Sequence, residues 1–160
     1  MKLKLDDNFC DLLAAFQDRK VRYLLIGGWA VSIHAQPRAT QDMDIVVSPE
    51  RSNLEAVYQA LLQFGAPLKE IGKDRFLEPD TFFRIGAPPC QIDIFPGIPG
   101  IEFEPSWQRR FTALVDEKRG LFADVISAED LIVAKIASGR EQDIADVQAI
   151  RRAQKQGRDL

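Results

Sequence analysis

A short apolar run that stops at two glycines constrains this chain most. Tyr23-Leu-Leu-Ile26 has the length of one buried strand, and Gly27-Gly28 follows it directly. The next residues, Trp29–His34, predict a brief helix that ends before Pro37. Glycines at a helix start let backbone N–H groups approach an anion such as phosphate. A plain tight turn explains the same glycines, so the motif needs support from elsewhere in the chain.

A second strand is predicted over Asp42–Val47, where acidic and apolar residues alternate at the start. The alternation places Asp42 and Asp44 on one face and Met43 and Ile45 on the other. Carboxylates at positions i and i+2 of a strand lie about 7 Å apart, so both can reach one hard cation. Solvated acids alternate on many exposed strands as well, so the pair alone does not establish a metal site.

A third acid, Asp93, interrupts the apolar run Ile92–Phe95. An unpaired carboxylate inside a buried strand is costly, so Asp93 is expected to have a partner such as a cation. Together the glycine pair, the paired acids and the buried acid indicate a site for a phosphate and a metal ion.

Helices and a hairpin are predicted around these motifs. An apolar stripe predicts a helix over 7–20, and Ser52-x-x-Glu55 predicts a capping box for a helix that ends at Gly65. Residues 66–80 are expected to contain a loop, and 96–105 to be irregular. The remaining predicted elements are a hairpin of Thr81–Ile85 and Gln91–Phe95, a short helix over Ser106–Phe111, a helix over Leu131–Ala137 opened by Ser127, and a last helix after Gly139.

Composition narrows the class of protein. The 160 residues are 46% hydrophobic and 28% charged, which fits one globular domain. The net charge of −3 gives no general attraction to nucleic acid. Two distant cysteines predict reduced thiols in a cytoplasm, and no apolar stretch is long enough for a membrane span or a secretion signal.

The motifs resemble those of a known superfamily. Leu25-Ile-Gly-Gly28, thirteen further residues, Asp42-Met-Asp-Ile45 and then Ile92-Asp-Ile94 resemble the signature of the DNA polymerase beta-type nucleotidyltransferases, in their small single-domain bacterial branch. The stretch 127–147 is similar to the tail of these transferases, including AbiE-type toxins of toxin–antitoxin pairs and lincosamide nucleotidyltransferases. Many relatives carry Ser at the position of Gly28, so here only the backbone contact to phosphate is implied.

The resemblance implies a fold and a domain organisation. The expected fold is α/β, a small mixed sheet flanked by helices with a helical C-terminal tail. One nucleotidyltransferase domain over 1–160 is expected, with a catalytic core at about 20–96 and the tail at about 127–156.

The resemblance also implies roles for the three acids and the glycines. Asp42 and Asp44 would hold Mg²⁺, or Mn²⁺, on a nucleoside triphosphate, and Asp93 would join Asp42 at a second metal site. Asp93 would also take the proton of the attacking hydroxyl. Gly27 and Gly28 would bind the nucleotide through their backbone.

Four further positions are weighed against plainer interpretations. Arg38 and Thr40 lie between the glycines and the acid pair, where they could touch phosphate or form a solvated loop. Lys135 is flanked by apolar residues and is a candidate for phosphate binding, or a lysine that extends to the surface. Arg140, with Asp143 and Asp146, is best explained as a structural ion-pair set.

The predicted activity is Mg²⁺-dependent transfer of a nucleoside monophosphate to a hydroxyl, with release of pyrophosphate. ATP is the first candidate donor, and the unknown acceptor is expected to be a small molecule or a protein in preference to RNA. The rival hypotheses are a catalytically silent nucleotide-binding module that acts through a protein partner, as in a toxin–antitoxin pair, and a structural domain whose acids bind a cation without turnover.

Overall fold

A six-stranded mixed sheet flanked by helices organises the chain. The computed structural model describes residues 5–37, 42–69, 71–87 and 90–158. In chain order the elements are α1 (Asp7–Asp18), β1 (Tyr23–Ile26), α2 (Gly27–His34), β2 (Met43–Val47), α3 (Arg51–Phe64), α4 (Lys73–Phe76), β3 (Phe83–Ile85), β4 (Ile92–Phe95), α5 (Phe103–Gln108), β5 (Phe111–Asp116), β6 (Leu121–Val125), α6 (Ala128–Ser138) and α7 (Glu141–Arg158). The α/β class and the helical C-terminal end agree with the sequence-based expectation.

The strand order is β3-β4-β2-β1-β6-β5. β2 pairs antiparallel with β1 and parallel with β4, and β1 pairs parallel with β6. The outer pairs, β3 with β4 and β5 with β6, are antiparallel. The predicted hairpin of β3 and β4 is therefore confirmed, and it places the Asp93 strand directly beside the Asp44 strand.

The core lies between the central strands and the helices that pack on them. All four residues of β1 are buried, as are the residues of β2 other than Asp44. The apolar stripe of α1 is buried as its spacing predicts, and the Phe16 ring packs against Tyr23 with centroids 5.2 Å apart. Each buried Leu or Phe side chain contributes about 1.5–3 kcal/mol, which fixes β1 and β2 as rigid supports for the acids at their ends.

Helix α3 begins earlier than the capping box predicts. Its N-cap is Glu50, and Ser52 already lies inside the helix, so the predicted capping box is wrong. Asn53 explains the shift, because its side chain donates to the carbonyls of Arg22 and Ser48, each at 3.0 Å. These tertiary bonds fix the first turn. The predicted ends at Gly65, which has φ 97°, and at Ser127, whose hydroxyl accepts from the Asp130 N–H, are confirmed.

Strands β5 and β6 have no counterpart in the sequence prediction. The predicted helix over 106–111 is displaced, since α5 ends at Gln108 and Phe111 opens β5. β5 and β6 form a hairpin that attaches to β1, where Leu25 pairs with Val125. Pairing with a strand about 100 residues away stabilises these two strands. In the described ranges, no helix is long and apolar enough to cross a membrane.

Candidate functional site

The glycine turn lies against an acidic side chain. Gly27 opens α2 with φ 68°, a left-handed conformation that favours glycine. A Cβ at this position would collide with the carboxylate of Asp44. The cause is the register of the sheet, because Ile26 of β1 pairs with Asp44 of β2. The predicted phosphate turn therefore lies directly against Asp44, one of the two predicted paired acids.

Helix α2 begins at the glycine pair, as the sequence predicts. Its N-cap, Ile26, has no side chain that accepts from the first-turn N–H groups. Gly28 is the second residue of the helix. Free N–H groups at a helix N-terminus carry the positive end of the helix dipole and suit a phosphate oxygen.

Asp44 and Asp93 are neighbours across the sheet. They are paired residues of the parallel strands β2 and β4. Burial, followed by the charges of Asp93 and Asp42, raises the pKa of Asp44 to about 6, although Arg140 and Arg84 oppose the rise. A carboxylate that is costly to ionise in the protein alone is a natural ligand for a cation.

Asp42 precedes β2 by one residue. Its Oδ1 atom is buried, and the described part of the chain offers it no hydrogen-bond donor. A buried carboxylate oxygen without a partner costs on the order of 1–3 kcal/mol or more. A metal ion would satisfy this oxygen.

Both carboxylate oxygens of Asp93 accept hydrogen bonds from neighbouring side chains. Arg84 donates to both carboxylate oxygens, from Nε at 2.8 Å and from Nη2 at 3.2 Å. Gln91 also donates to both, at 3.3 and 3.2 Å. Among the described residues, no group of three His, Cys, Asp or Glu side chains is arranged to hold a metal ion. The carboxylate chemistry of Asp42 and Asp44 suits a divalent cation, whereas both oxygens of Asp93 are bonded by Arg84.

A second charged cluster faces the acids from α6 and α7. Lys135 is buried, and its Nζ lies 3.2 Å from Asp143 Oδ1 and 2.8 Å from Asp146 Oδ2. Arg140 contacts Asp143 at 2.8 Å. Burial opposes ionisation of Asp143, but the hydrogen bonds from Arg140 and Lys135 outweigh it and hold its pKa well below its ordinary value. Of the predicted ion-pair set, Arg140 pairs with Asp143, whereas Asp146 pairs with Lys135, which is buried in this cluster rather than extended to the surface.

Both clusters line one cavity of about 530 Å³. Phe95, Ile98 and Leu131 form part of its apolar wall. Its charged lining residues are Asp44, Arg84, Asp93, Lys135, Arg140 and Asp143. Gly27 also lines it, so four of the predicted site residues, Gly27, Asp44, Asp93 and Lys135, lie on this one cavity, whereas Asp42 and Gly28 are not among its lining residues.

Two predicted site residues, Arg38 and Thr40, lie outside the described residues. The sequence analysis missed Arg84, which belongs to the cavity wall. The predicted hairpin indicated that Arg84 has a partner, because a residue in the middle of β3 must lie opposite a residue of β4. The register that makes this residue Asp93 became visible only in the fold.

Comparison with known proteins places this geometry in a family. The family model described as a nucleotidyltransferase of unknown function (DUF6036) matches residues 2–153. No curated protein sequence matches the chain.

Two solved structures share the fold. One is the lincosamide antibiotic adenylyltransferase LnuA in its lincomycin-bound form, with 19% identity, a TM-score of 0.56, and coverage of 92% of this chain and 96% of LnuA. The other is an antigenic nucleotidyltransferase-like protein from Paracoccidioides brasiliensis, with 16% identity, a TM-score of 0.53, and coverage of 89% of this chain and 73% of that one. The family match spans nearly the whole sequence, and the chain therefore belongs to the DUF6036 family of nucleotidyltransferases.

Proposed function

We propose that this chain is a divalent-metal-dependent enzyme that transfers a nucleoside monophosphate from a nucleoside triphosphate to a hydroxyl group, with release of pyrophosphate. The observation that carries the proposal is the meeting of Gly27, Asp44 and Asp93 in register at one end of the sheet, on the wall of the 530 Å³ cavity. The volume lies within the range of small-molecule sites. Phosphate-binding backbone and metal-binding carboxylates are what a triphosphate requires.

The start of α2 binds the phosphates in this proposal. The backbone at Gly27 and Gly28 offers N–H groups without an obstructing side chain. Arg38 and Thr40 are proposed as further phosphate contacts. Lys135 is already paired with two aspartates, so it contributes less positive charge than a free lysine would.

Asp42 and Asp44 would hold Mg²⁺ or Mn²⁺, and Asp93 would join Asp42 at a second metal position. When bound, the metal neutralises charge that develops on the phosphate oxygens during in-line displacement. The Oδ1 atom of Asp42, which has no hydrogen-bond partner among the described residues, and the raised pKa of Asp44 both favour a cation here.

The transfer itself is a single displacement. The acceptor oxygen bonds to the α-phosphorus, the bond from that phosphorus to the α–β bridging oxygen breaks, and pyrophosphate leaves. Asp93 accepts the proton of the attacking hydroxyl. The products are a nucleotidylated acceptor and pyrophosphate.

The donor and acceptor are proposed by class. ATP is the first candidate donor, as the name of the adenylyltransferase LnuA suggests. A small molecule or a protein is favoured as acceptor over RNA, because the net charge is −3 and the cavity has an apolar wall. A reducing cytoplasm is the proposed location, in keeping with free Cys10 and Cys90.

A pyrophosphate-release screen tests the activity. ATP, GTP, CTP and UTP are each incubated with Mg²⁺ and with hydroxyl-bearing small molecules, proteins or RNA. We expect release with one donor and one acceptor class, and none from the Asp44→Asn variant. Release that is equal in the wild type and in Asp44→Asn would contradict the proposal.

Calorimetry tests the metal separately. The three acids repel a triphosphate unless a cation lies between them, so ATP is expected to bind in millimolar Mg²⁺ and not in excess chelator. Equal affinity under both conditions would remove the metal-site interpretation.

An exposed apolar surface favours one alternative, a nucleotide-binding module that acts through a protein partner in a toxin–antitoxin-like pair. Val133, Ile136 and Ile144 of α6 and α7 are 46%, 58% and 56% exposed. Large exposed apolar side chains that lie together are typical of interaction sites. Binding of Mg-ATP without pyrophosphate release in any arm of the screen would support this alternative.

A further inference from the structure

Arg84 covers the acid that the proposed reaction needs free. It is the cross-strand partner of Asp93, and its guanidinium bonds both oxygens of that carboxylate. The Asp93 side chain is 9% exposed, whereas that of Arg84 is 56% exposed. The carboxylate is thus held inside the sheet, while most of the arginine side chain is exposed to solvent.

This contact does little to hold the fold together. β3 and β4 are already joined by their antiparallel ladder, and the pair links residues that face each other in it. A similar pair elsewhere differs in this respect. Arg109 bonds both oxygens of buried Asp130 at 2.8 and 3.1 Å and thereby connects the end of α5 to the first turn of α6.

The guanidinium of Arg84 lies where a triphosphate would need it. Arg84 lines the same cavity as Gly27 and Asp44. An arginine fork binds phosphate and carboxylate oxygens with the same geometry. Removing Arg84 alone leaves a buried charge on Asp93, so the arginine is released at low cost only when another cation compensates Asp93.

We propose that Arg84 is a nucleotide-binding residue that covers Asp93 in the nucleotide-free protein and exchanges this carboxylate for a phosphate of the incoming metal–nucleotide complex. The inference rests on the proposed function, since it assumes that Asp93 faces a divalent cation during transfer. The exchange makes two affinities depend on Arg84 in opposite directions. Arg84 weakens the binding of metal alone and strengthens the binding of metal with nucleotide.

The test measures both affinities in the full chain. Mn²⁺ alone is titrated by electron paramagnetic resonance, and Mn²⁺ with the non-hydrolysable ATP analogue AMPCPP by calorimetry. For Arg84→Gln we expect Mn²⁺ alone to bind about tenfold more tightly and the Mn²⁺–AMPCPP complex about tenfold more weakly. Arg109→Gln is the matched control, because it breaks a similar ion pair away from the cavity and is expected to change neither affinity.

Arg84→Lys keeps the inference testable where the glutamine variant folds poorly. It retains a cation beside Asp93 but loses the fork, so both affinities are expected to move in the same directions by smaller factors. Thermal denaturation confirms that each variant used is folded. Wild-type affinities in a folded Arg84 variant would overturn this inference alone, whereas absence of Mn²⁺–AMPCPP binding by the wild type would overturn the proposed function with it.

Discussion

Two acidic clusters face each other across the cavity and balance their charge in opposite ways. Asp143 is buried, yet its partners Arg140 and Lys135 hold its pKa well below the ordinary value. Asp44 is partly buried, but its nearest charges are those of Asp93 and Asp42, and its pKa is raised to about 6. Burial alone raises the pKa of both acids, so their charged neighbours decide the difference.

This contrast separates a structural cluster from a ligand site. Asp143 is neutralised by the chain itself and ties α6 to α7. Asp44 lies near Asp42, an acid with one oxygen that no described residue bonds, and against Gly27 at the start of α2. A cluster that the protein does not neutralise by itself is suited to a bound cation.

Asp143→Asn is expected to lower the free energy of unfolding more than the other substitutions do. Lys135 would remain buried with one carboxylate fewer, and breaking a buried pair on one side typically costs about 3 kcal/mol. Urea denaturation measures the free energy of unfolding. Arg140→Ala is the control, since its side chain is 76% exposed and its removal is expected to cost less than about 1 kcal/mol. Equal losses in the two variants would remove the structural role assigned to Asp143.

Gly27→Ala is expected to lower the free energy of unfolding by about 2 kcal/mol, and Gly139→Ala by about 1 kcal/mol. The two glycines have nearly the same φ, 68° and 70°, so the left-handed strain is shared. They differ in their surroundings, because a Cβ on Gly27 meets the Asp44 carboxylate while one on Gly139 has an ordinary contact at 3.7 Å. Thermal denaturation compares them, and Asp44→Ala is expected to recover part of the Gly27→Ala loss. Equal losses for the two glycine variants, with no recovery by Asp44→Ala, would show that the loss at Gly27 does not come from contact with Asp44.

Asp44→Asn is expected to raise stability while it abolishes activity. The substitution removes a charge that is unfavourable in the metal-free protein, a gain of about 1 kcal/mol at pH 7 after allowance for solvent screening. The melting temperature is expected to rise by about 2–4 °C, and pyrophosphate release to fall at least about 100-fold. A destabilised but active variant would make Asp44 a structural residue like Asp143.

The sequence predicted the features that depend on local spacing. Strand periodicity placed Asp44 on a polar face and Asp93 inside an apolar strand, and the glycines marked the turn that meets them. Because each of these signals lies within a few residues, the element that carries it was recognisable without the fold.

The features that escaped prediction depend on distant pairing. Arg84 reaches Asp93 through a cross-strand register, and Lys135 finds Asp143 and Asp146 through the packing of α6 on α7. β5 and β6 join the sheet beside β1, which lies about 100 residues earlier in the chain. No local pattern specifies which distant residue becomes the partner, so the ion pairs of the site required the tertiary structure.

The smallest expected effect is a difference in pH dependence. With a folded pKa of about 6 against an ordinary 3.8, Asp44 disfavours the folded state, and this cost is full above pH 6, shrinks as the pH falls below 6 and disappears only near pH 3.8. In metal-free buffer the wild type should therefore gain about 0.5 kcal/mol relative to Asp44→Asn between pH 7 and pH 5. His34 acts in the opposite sense, since burial lowers its pKa, but it is present in both proteins and cancels in the difference. The low pKa of Asp143 stabilises the fold throughout this window, because that contribution is lost only as the pH falls below about 3.8.

Saturating Mg²⁺ should reduce the relative gain, as a bound cation offsets the charge of Asp44. Parallel stability curves for wild type and variant in metal-free buffer would mean that Asp44 is as well neutralised as Asp143, and the contrast between the two clusters would no longer hold.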